Sequence, residues 1–255
     1  MAAFFVHEES IVRKIWGRGD TVLLIFAGSS AEFALNKAVD WLYFTGRLPA
    51  DPLGRLFSTV RYAQEIVFAE QDGALAAIDR ITAVHQGVEE SRGARIPDDA
   101  YLDVLFMLID YSIRSFELLE RRLGEAEKAE VFDVFYRVGS RMGLRGLPGN
   151  YRDWKDRRAV NIAGNLVRSV FTPDLYERYR RSLGAFRYHL LLQAQVLLAP
   201  ARVRRLIGLP SVPLLWPVLL LYKAGRRLRC ERFIRDLLLP VKYKEQIAAL
   251  DMLPG

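Results

Sequence analysis

Cysteine is nearly absent: the 255 residues include one, Cys230. A single cysteine excludes an intramolecular disulfide and any cysteine-cluster zinc or iron–sulfur site, so a bound metal needs other ligands. Linker composition is missing too. No Gly/Ser-rich or Pro-rich stretch divides the chain and no repeat or low-complexity segment interrupts it, which reads as one domain over residues 1–255. Nowhere do apolar and polar residues alternate over the length of a half-buried strand. The first ten residues lack the basic region and apolar run of a signal peptide, so a cytoplasmic location is expected. Long apolar runs are also lacking. The most apolar stretch, Leu209 to Tyr222, carries three prolines and falls short of the roughly 20 residues that a membrane-spanning helix needs. It is compatible with either a buried hairpin or a surface that dips into lipid headgroups from the cytoplasmic side, as a peripheral membrane contact over residues 200–235.

What is present is the composition of a folded globular protein, with 51% hydrophobic and 26% charged residues. The net charge is +7, and much of the excess comes from late arginines: Arg202, Arg204, Arg205, Arg226, Arg227, Arg229, Arg232 and Arg235. They flank apolar sequence, and no nucleic-acid motif or aromatic–basic platform accompanies them, so a nucleic-acid partner is not expected. Apolar residues recur three and four apart almost everywhere, which predicts an all-α fold. Short helices are expected near residues 10–16 and over 29–44. The intervening TVLLIFAG reads as a buried helix or turn. Asp51-Pro52 is a cap followed by a first-turn proline, opening a helix to about Phe68. Further helices are expected over about 73–90, 101–123, 125–142, 153–170 and 174–198, the one at 101–123 being apolar enough to run through the core.

Each of the three histidines has a separate reading. His7 lies near the N-terminus. His189 has no Glu three residues before it, so the di-iron carboxylate pattern is absent. His85 shares helical spacing with Ile78, Ile81, Val84 and Val88, which directs its imidazole inward. There it is either a core histidine bonded to a carbonyl or the ligand of a haem iron, which one histidine suffices to hold. On the preceding helix, Arg55, Thr59 and Tyr62 form a polar stripe beside the apolar face of Leu56, Phe57, Val60 and Ala63. The Arg55 guanidinium suits a haem propionate or a core carboxylate equally.

The runs DPLGRLFSTVRYAQEIVFA, ITAVHQGVE and AYLDVLFMLIDYSIRSFELLERRLGEAEKAEVFDVFYRVGSRMGLRGLP resemble the latex-clearing-protein (rubber oxygenase) and mycophenolic-acid-pathway MpaB-type oxygenase family, with similarity over about Ile11 to Leu198. The resemblance implies an all-α, single multi-helix domain with a family-like core over about 11–198 and an apolar, basic tail over about 199–255. It implies haem b as cofactor, His85 as proximal iron ligand, and Arg55 and Thr59 as the Arg-x-x-x-Thr pair that serves the cofactor and catalysis. The activity implied is attack by dioxygen on an apolar, unsaturated isoprenoid or lipid-like molecule. The alternative is a non-catalytic binding protein of the same fold, for haem or an apolar ligand. Two positions depart from the family pattern. Ser58 stands where rubber-cleaving members have a lysine, and the glutamate proposed as a base in those members has only Glu32 and Asp40 as nearby candidates.

Overall fold

The computed structural model describes residues 3–46, 50–210, 212–227 and 251. Arg229, Cys230, Arg232 and Arg235 therefore lie outside the described residues. Within those residues the backbone is helical, with two isolated β-bridges and no strand, in agreement with the all-α expectation. The helices are Ile11–Trp16 (α1), Gly19–Phe33 (α2), Val39–Phe44 (α3), Pro52–Phe68 (α4), Gln71–Arg92 (α5), Asp98–Leu119 (α6), Glu125–Arg141 (α7), Tyr151–Gly164 (α8), Phe171–Leu198 (α9), Ala201–Ile207 (α10) and Trp216–Arg227 (α11).

Local chemistry sets the helix ends. Asp51 caps α4 by accepting a hydrogen bond from Gly54 N at 3.0 Å, and Pro52 occupies the first turn, where its missing N–H is no loss. Asn150 caps α8 in the same way through Asp153 N at 3.0 Å. TVLLIFAG is helical, within α2, with Val22, Ile25 and Phe26 buried and Leu23, Leu24 and Ala27 half-buried; with no partner strand present, helix is the form that satisfies its backbone internally. The single helix expected over 29–44 is instead two. Asn36 breaks it: its side chain accepts from Ala38 N at 2.8 Å and donates to Asp103 at 2.8 Å, competing with helical pairing. One of the two isolated β-bridges pairs Asn36 with Leu166, just past the end of α8, which stops at Gly164 rather than near 170. Gly184, at φ +74°, bends α9.

Helices α2 and α6 form the most extensive contact in the bundle. From α2, Val22, Ile25 and Phe26 enter the core; from α6, Leu102, Phe106, Ile109 and Phe116. Gly28 lets the two axes approach, since a Cβ there would stand 2.4 Å from the buried Tyr111 ring. Trp16 fixes α1 between α6 and α4, its Nε1 donating to Ser112 Oγ at 3.1 Å and its carbonyl accepting from Gln64 Nε2 at 2.9 Å. The α4–α5 hairpin packs next to this core.

Helix α8 is held differently. Its sequence, YRDWKDRRAVNIAG, buries only Trp154, Arg158 and Asn161, so apolar contact alone does not dock it. Two polar knots do. Arg158 donates to Glu32 Oε2 at 2.7 Å and to Asp110 Oδ2 at 3.0 and 3.1 Å, a second contact runs from its Nη1 to Glu32 Oε1, and Tyr111 OH donates to Glu32 Oε2 at 3.2 Å. The Arg158 and Glu32 side chains are 5% and 2% exposed. Burial opposes the Arg158 charge, but the Glu32 and Asp110 carboxylates outweigh it and raise the arginine pKa further. Two turns away on α6, Asp103 accepts hydrogen bonds from Asn36, Asn161 and Asn165 at 2.8–3.1 Å. Burial raises the Asp103 pKa, and the three amides act in the opposite sense. Removing one partner of a buried pair strands the other charge. Arg158→Met is therefore expected to cost about 3–5 kcal/mol in urea denaturation; a loss below about 1 kcal/mol would show that water or rearrangement replaces the guanidinium.

Candidate functional site

The three residues singled out in the sequence converge at the α4–α5 hairpin. On α4, Arg55 Nη1 donates to Thr59 Oγ1 at 3.3 Å and to Ser58 Oγ at 3.2 Å. Both hydroxyls donate back to the Arg55 carbonyl, Thr59 at 3.1 Å and Ser58 at 2.7 Å, so the guanidinium folds over its own helix turn. Arg55, Thr59 and Tyr62 are all half-buried, as a stripe on the border of an apolar face should be. Ser58 thus works as part of the arginine's hydroxyl cradle.

His85 lies on α5, across the hairpin. Its Nδ1 is buried without a hydrogen-bond partner, while the exposed His7 has its Nδ1 bonded to Glu9 N and His189 is exposed on α9. A buried unpaired polar nitrogen is costly, and few persist in folded proteins. The expected carbonyl partner of a core histidine is therefore missing. Burial lowers the His85 pKa from its ordinary 6.5, the Arg55 charge lowers it further, and Glu89 acts in the opposite direction. The imidazole is neutral at neutral pH, with a lone pair available, which is the form that ligates a metal.

The surroundings of His85 depart in part from the helical-wheel expectation. Ile78 is fully buried, but it is the last fully buried residue on α5; Ile81 and Val88 are half-buried and Val84 is 47% exposed. The apolar side of this half of α5 is thus only partly filled by the rest of the chain. Tyr101, in the first turn of α6, meets the His85 ring edge-on at 5.1 Å between centroids. Its hydroxyl donates at 3.2 Å to Glu89, one turn after His85, and the same carboxylate oxygen accepts from Ile96 N at 2.9 Å. Burial and then the Glu89 charge raise the tyrosine pKa, so it remains a donor. Neither Tyr101 nor Glu89 was singled out in the sequence. The contact joins α5 to α6 across a turn, and only the i, i+4 spacing of His85 and Glu89 hinted at it.

Both candidate bases are occupied. Glu32 belongs to the Arg158 knot, beside Tyr111; Tyr111 lies ten residues beyond Tyr101 on α6, about 15 Å along the helix. Asp40, on α3, pairs with Arg92 at 2.7 Å, and the Arg92 guanidinium lies 3.9 Å from the Trp41 ring centroid. Arg92 follows His85 by two turns on α5, so Asp40 is the acid on the histidine's side of the bundle.

Comparison with protein families matches residues 13–229 to the ER-bound oxygenase mpaB/B′ and rubber oxygenase catalytic domain. The chain belongs to this family. The match covers most of the chain, from within α1 through α11, and so includes Arg55, Thr59 and His85. Comparison with curated proteins and with solved structures gave no match.

The electrostatics of the pair are measurable. In an NMR titration, with His85 assigned from His85→Gln, its midpoint should lie below 6.5. Arg55→Gln should raise that midpoint, because a positive neighbour opposes the imidazolium, and Glu89→Gln should lower it. A wild-type midpoint at or above 6.5 would contradict the described environment.

Proposed function

We propose that this oxygenase-family domain uses haem b, with His85 as the residue that would ligate its iron, to oxidise an apolar, unsaturated isoprenoid or lipid-like molecule with dioxygen. The observation that supports it most is the buried, unpaired nitrogen of a neutral His85 beside the Arg55–Thr59 pair. Among the described residues no group of three or more His, Cys, Asp or Glu could hold a bare metal ion, whereas a haem iron is held by one axial imidazole. The residues present fit that cofactor: one imidazole nitrogen in need of a partner, a guanidinium next to it for a propionate, and a partly unfilled apolar helix face.

When bound, haem supplies the iron that activates dioxygen. The protein's own residues do the rest. His85 offers its lone pair, and the Tyr101 ring at its edge restricts its rotation. Arg55 is preorganised by Ser58 and Thr59, so little side-chain freedom is lost when it meets an anionic group. Ile81, Val84 and Val88 give the histidine's helix a partly exposed apolar border that would accommodate hydrocarbon and, once covered, keep water out.

A second reading has its own support. Ser58 holds Arg55 where rubber-cleaving relatives place a lysine, and both candidate bases are paired within the protein. A haem- or apolar-ligand-binding protein without oxygenase turnover needs neither group. Oxygen-electrode measurements on haem-loaded protein separate the two readings. Oxygenation predicts uptake with unsaturated isoprenoids, carbonyl products, and none with their saturated analogues. Haem retention with no substrate-dependent uptake across that series would favour the binding protein.

A further inference from the structure

We propose that α11, together with the arginines of α10, is a docking surface for an anionic lipid bilayer. This inference does not rest on the haem reading, and its test needs no cofactor.

The placement of α11 follows from four contacts. Val203 of α10 packs with Ala31 and Leu35, at the C-terminal end of α2. Leu214 N then donates to Gln193 of α9 at 2.9 Å, Tyr222 OH donates to Asp20 in the first turn of α2 at 3.0 Å, and Lys223 Nζ donates to the Leu118 carbonyl at 3.1 Å. The chain thus runs along the flank of α2 from one end to the other. Its inward side, with Leu215, Leu219, Tyr222 and Lys223, is half-buried. The opposite side is apolar and open: Leu214 is 64% exposed, Trp216 49%, Leu220 53% and Leu221 73%. Contiguous exposure of this kind marks an interaction surface in a folded protein, where isolated apolar side chains do not.

Charge identifies the occupant. Residues 178–230 contain no Asp or Glu. Arg202 and Arg205 are exposed, Arg204 is half-buried with Nε unpartnered, and none of the three makes an ion pair among the described residues. Exposed apolar side chains that follow, after a short turn, a segment whose only charges are basic suit acyl chains beneath anionic headgroups, with tryptophan at the boundary. A second copy of the chain fits less well, because a twofold interface would bring these arginines against their own symmetry mates. No described helix is long and apolar enough to cross a membrane, so α11, at about 18 Å, lies in the plane of the surface.

Vesicle flotation of the full chain tests this, using phosphatidylcholine with and without phosphatidylglycerol. Binding is expected only with the anionic lipid, weakening as salt rises, and brominated lipid should quench tryptophan emission in the wild type but not in Trp216→Phe. Leu220→Glu with Leu221→Glu should abolish flotation while circular dichroism is retained, since both side chains are already in water. Arg202→Gln with Arg205→Gln should weaken binding roughly tenfold or more. Equal binding to neutral vesicles, no binding, or binding indifferent to the leucine pair would each overturn the proposal. So would a dimer in sedimentation that the leucine substitutions dissolve, which would make the face a protein interface.

Discussion

Asp103 and Asp110 lie two turns apart on the same side of α6, and the attachment of α8 and the α2–α3 corner depends on how their buried carboxylates are satisfied. Asn161 and Asn165 serve the first and Arg158 the second, all from α8 or its C-cap, while Asn36 and Glu32 join from the other side. Apolar packing allows a helix to slide or rotate at small cost, whereas a buried charge with directional bonds has few alternative positions. The pairing therefore sets the register of α8 and α2 against α6. The first turn of α6 carries Tyr101, whose ring and hydroxyl meet His85 and Glu89 on α5. A single helix thus carries both the polar knots of the core and the contact behind the candidate ligand.

The sequence was most informative where periodicity and caps act locally. Asp51-Pro52 and the apolar run now in α6 could be read from spacing; for His85 the spacing was right as far as its buried ring nitrogen. The split near Asn36 could not, because the asparagine that accepts from Ala38 N is anchored by Asp103, 67 positions away. For the same reason α8 looked like an ordinary polar helix: Arg158 and Asn161 point inward only because carboxylates from α2 and α6 await them. Arg55, Thr59 and His85 were singled out through their order along the chain and the family resemblance, and the structure places all three on the α4–α5 hairpin. Tyr101 and Glu89 were not, since their role depends on how α5 meets α6. Val84 was read as inward and is exposed, since the face it shares with His85 leaves the core after Ile78.

The two candidate carboxylates differ in what they are free to do. Glu32 is committed to the core, where the Arg158 knot needs its charge, so moving it would unpair α8. Asp40 is at the surface end of α5 with a single ion pair to Arg92. With Ser58 bonded to Arg55, Tyr101 to Glu89 and Asp40 to Arg92, the polar side chains named around His85 are paired among the described residues, and the proposed function asks of them binding and orientation rather than base chemistry. On the proposed reading, chemistry here would depend on what His85 binds and on the apolar boundary of α5 more than on proton transfer by a side chain.

The central claim is that His85 holds an iron. Its most direct measurement is the absorption spectrum and pyridine haemochrome of protein produced with added haem precursor, wild type beside His85→Gly, before and after addition of imidazole. The account predicts a haem b spectrum in the wild type, its loss in the variant, and its recovery when free imidazole enters the vacated space. A wild type that takes up no haem under these conditions, or a variant whose spectrum is unchanged, would contradict it and return His85 to the role of a buried structural histidine.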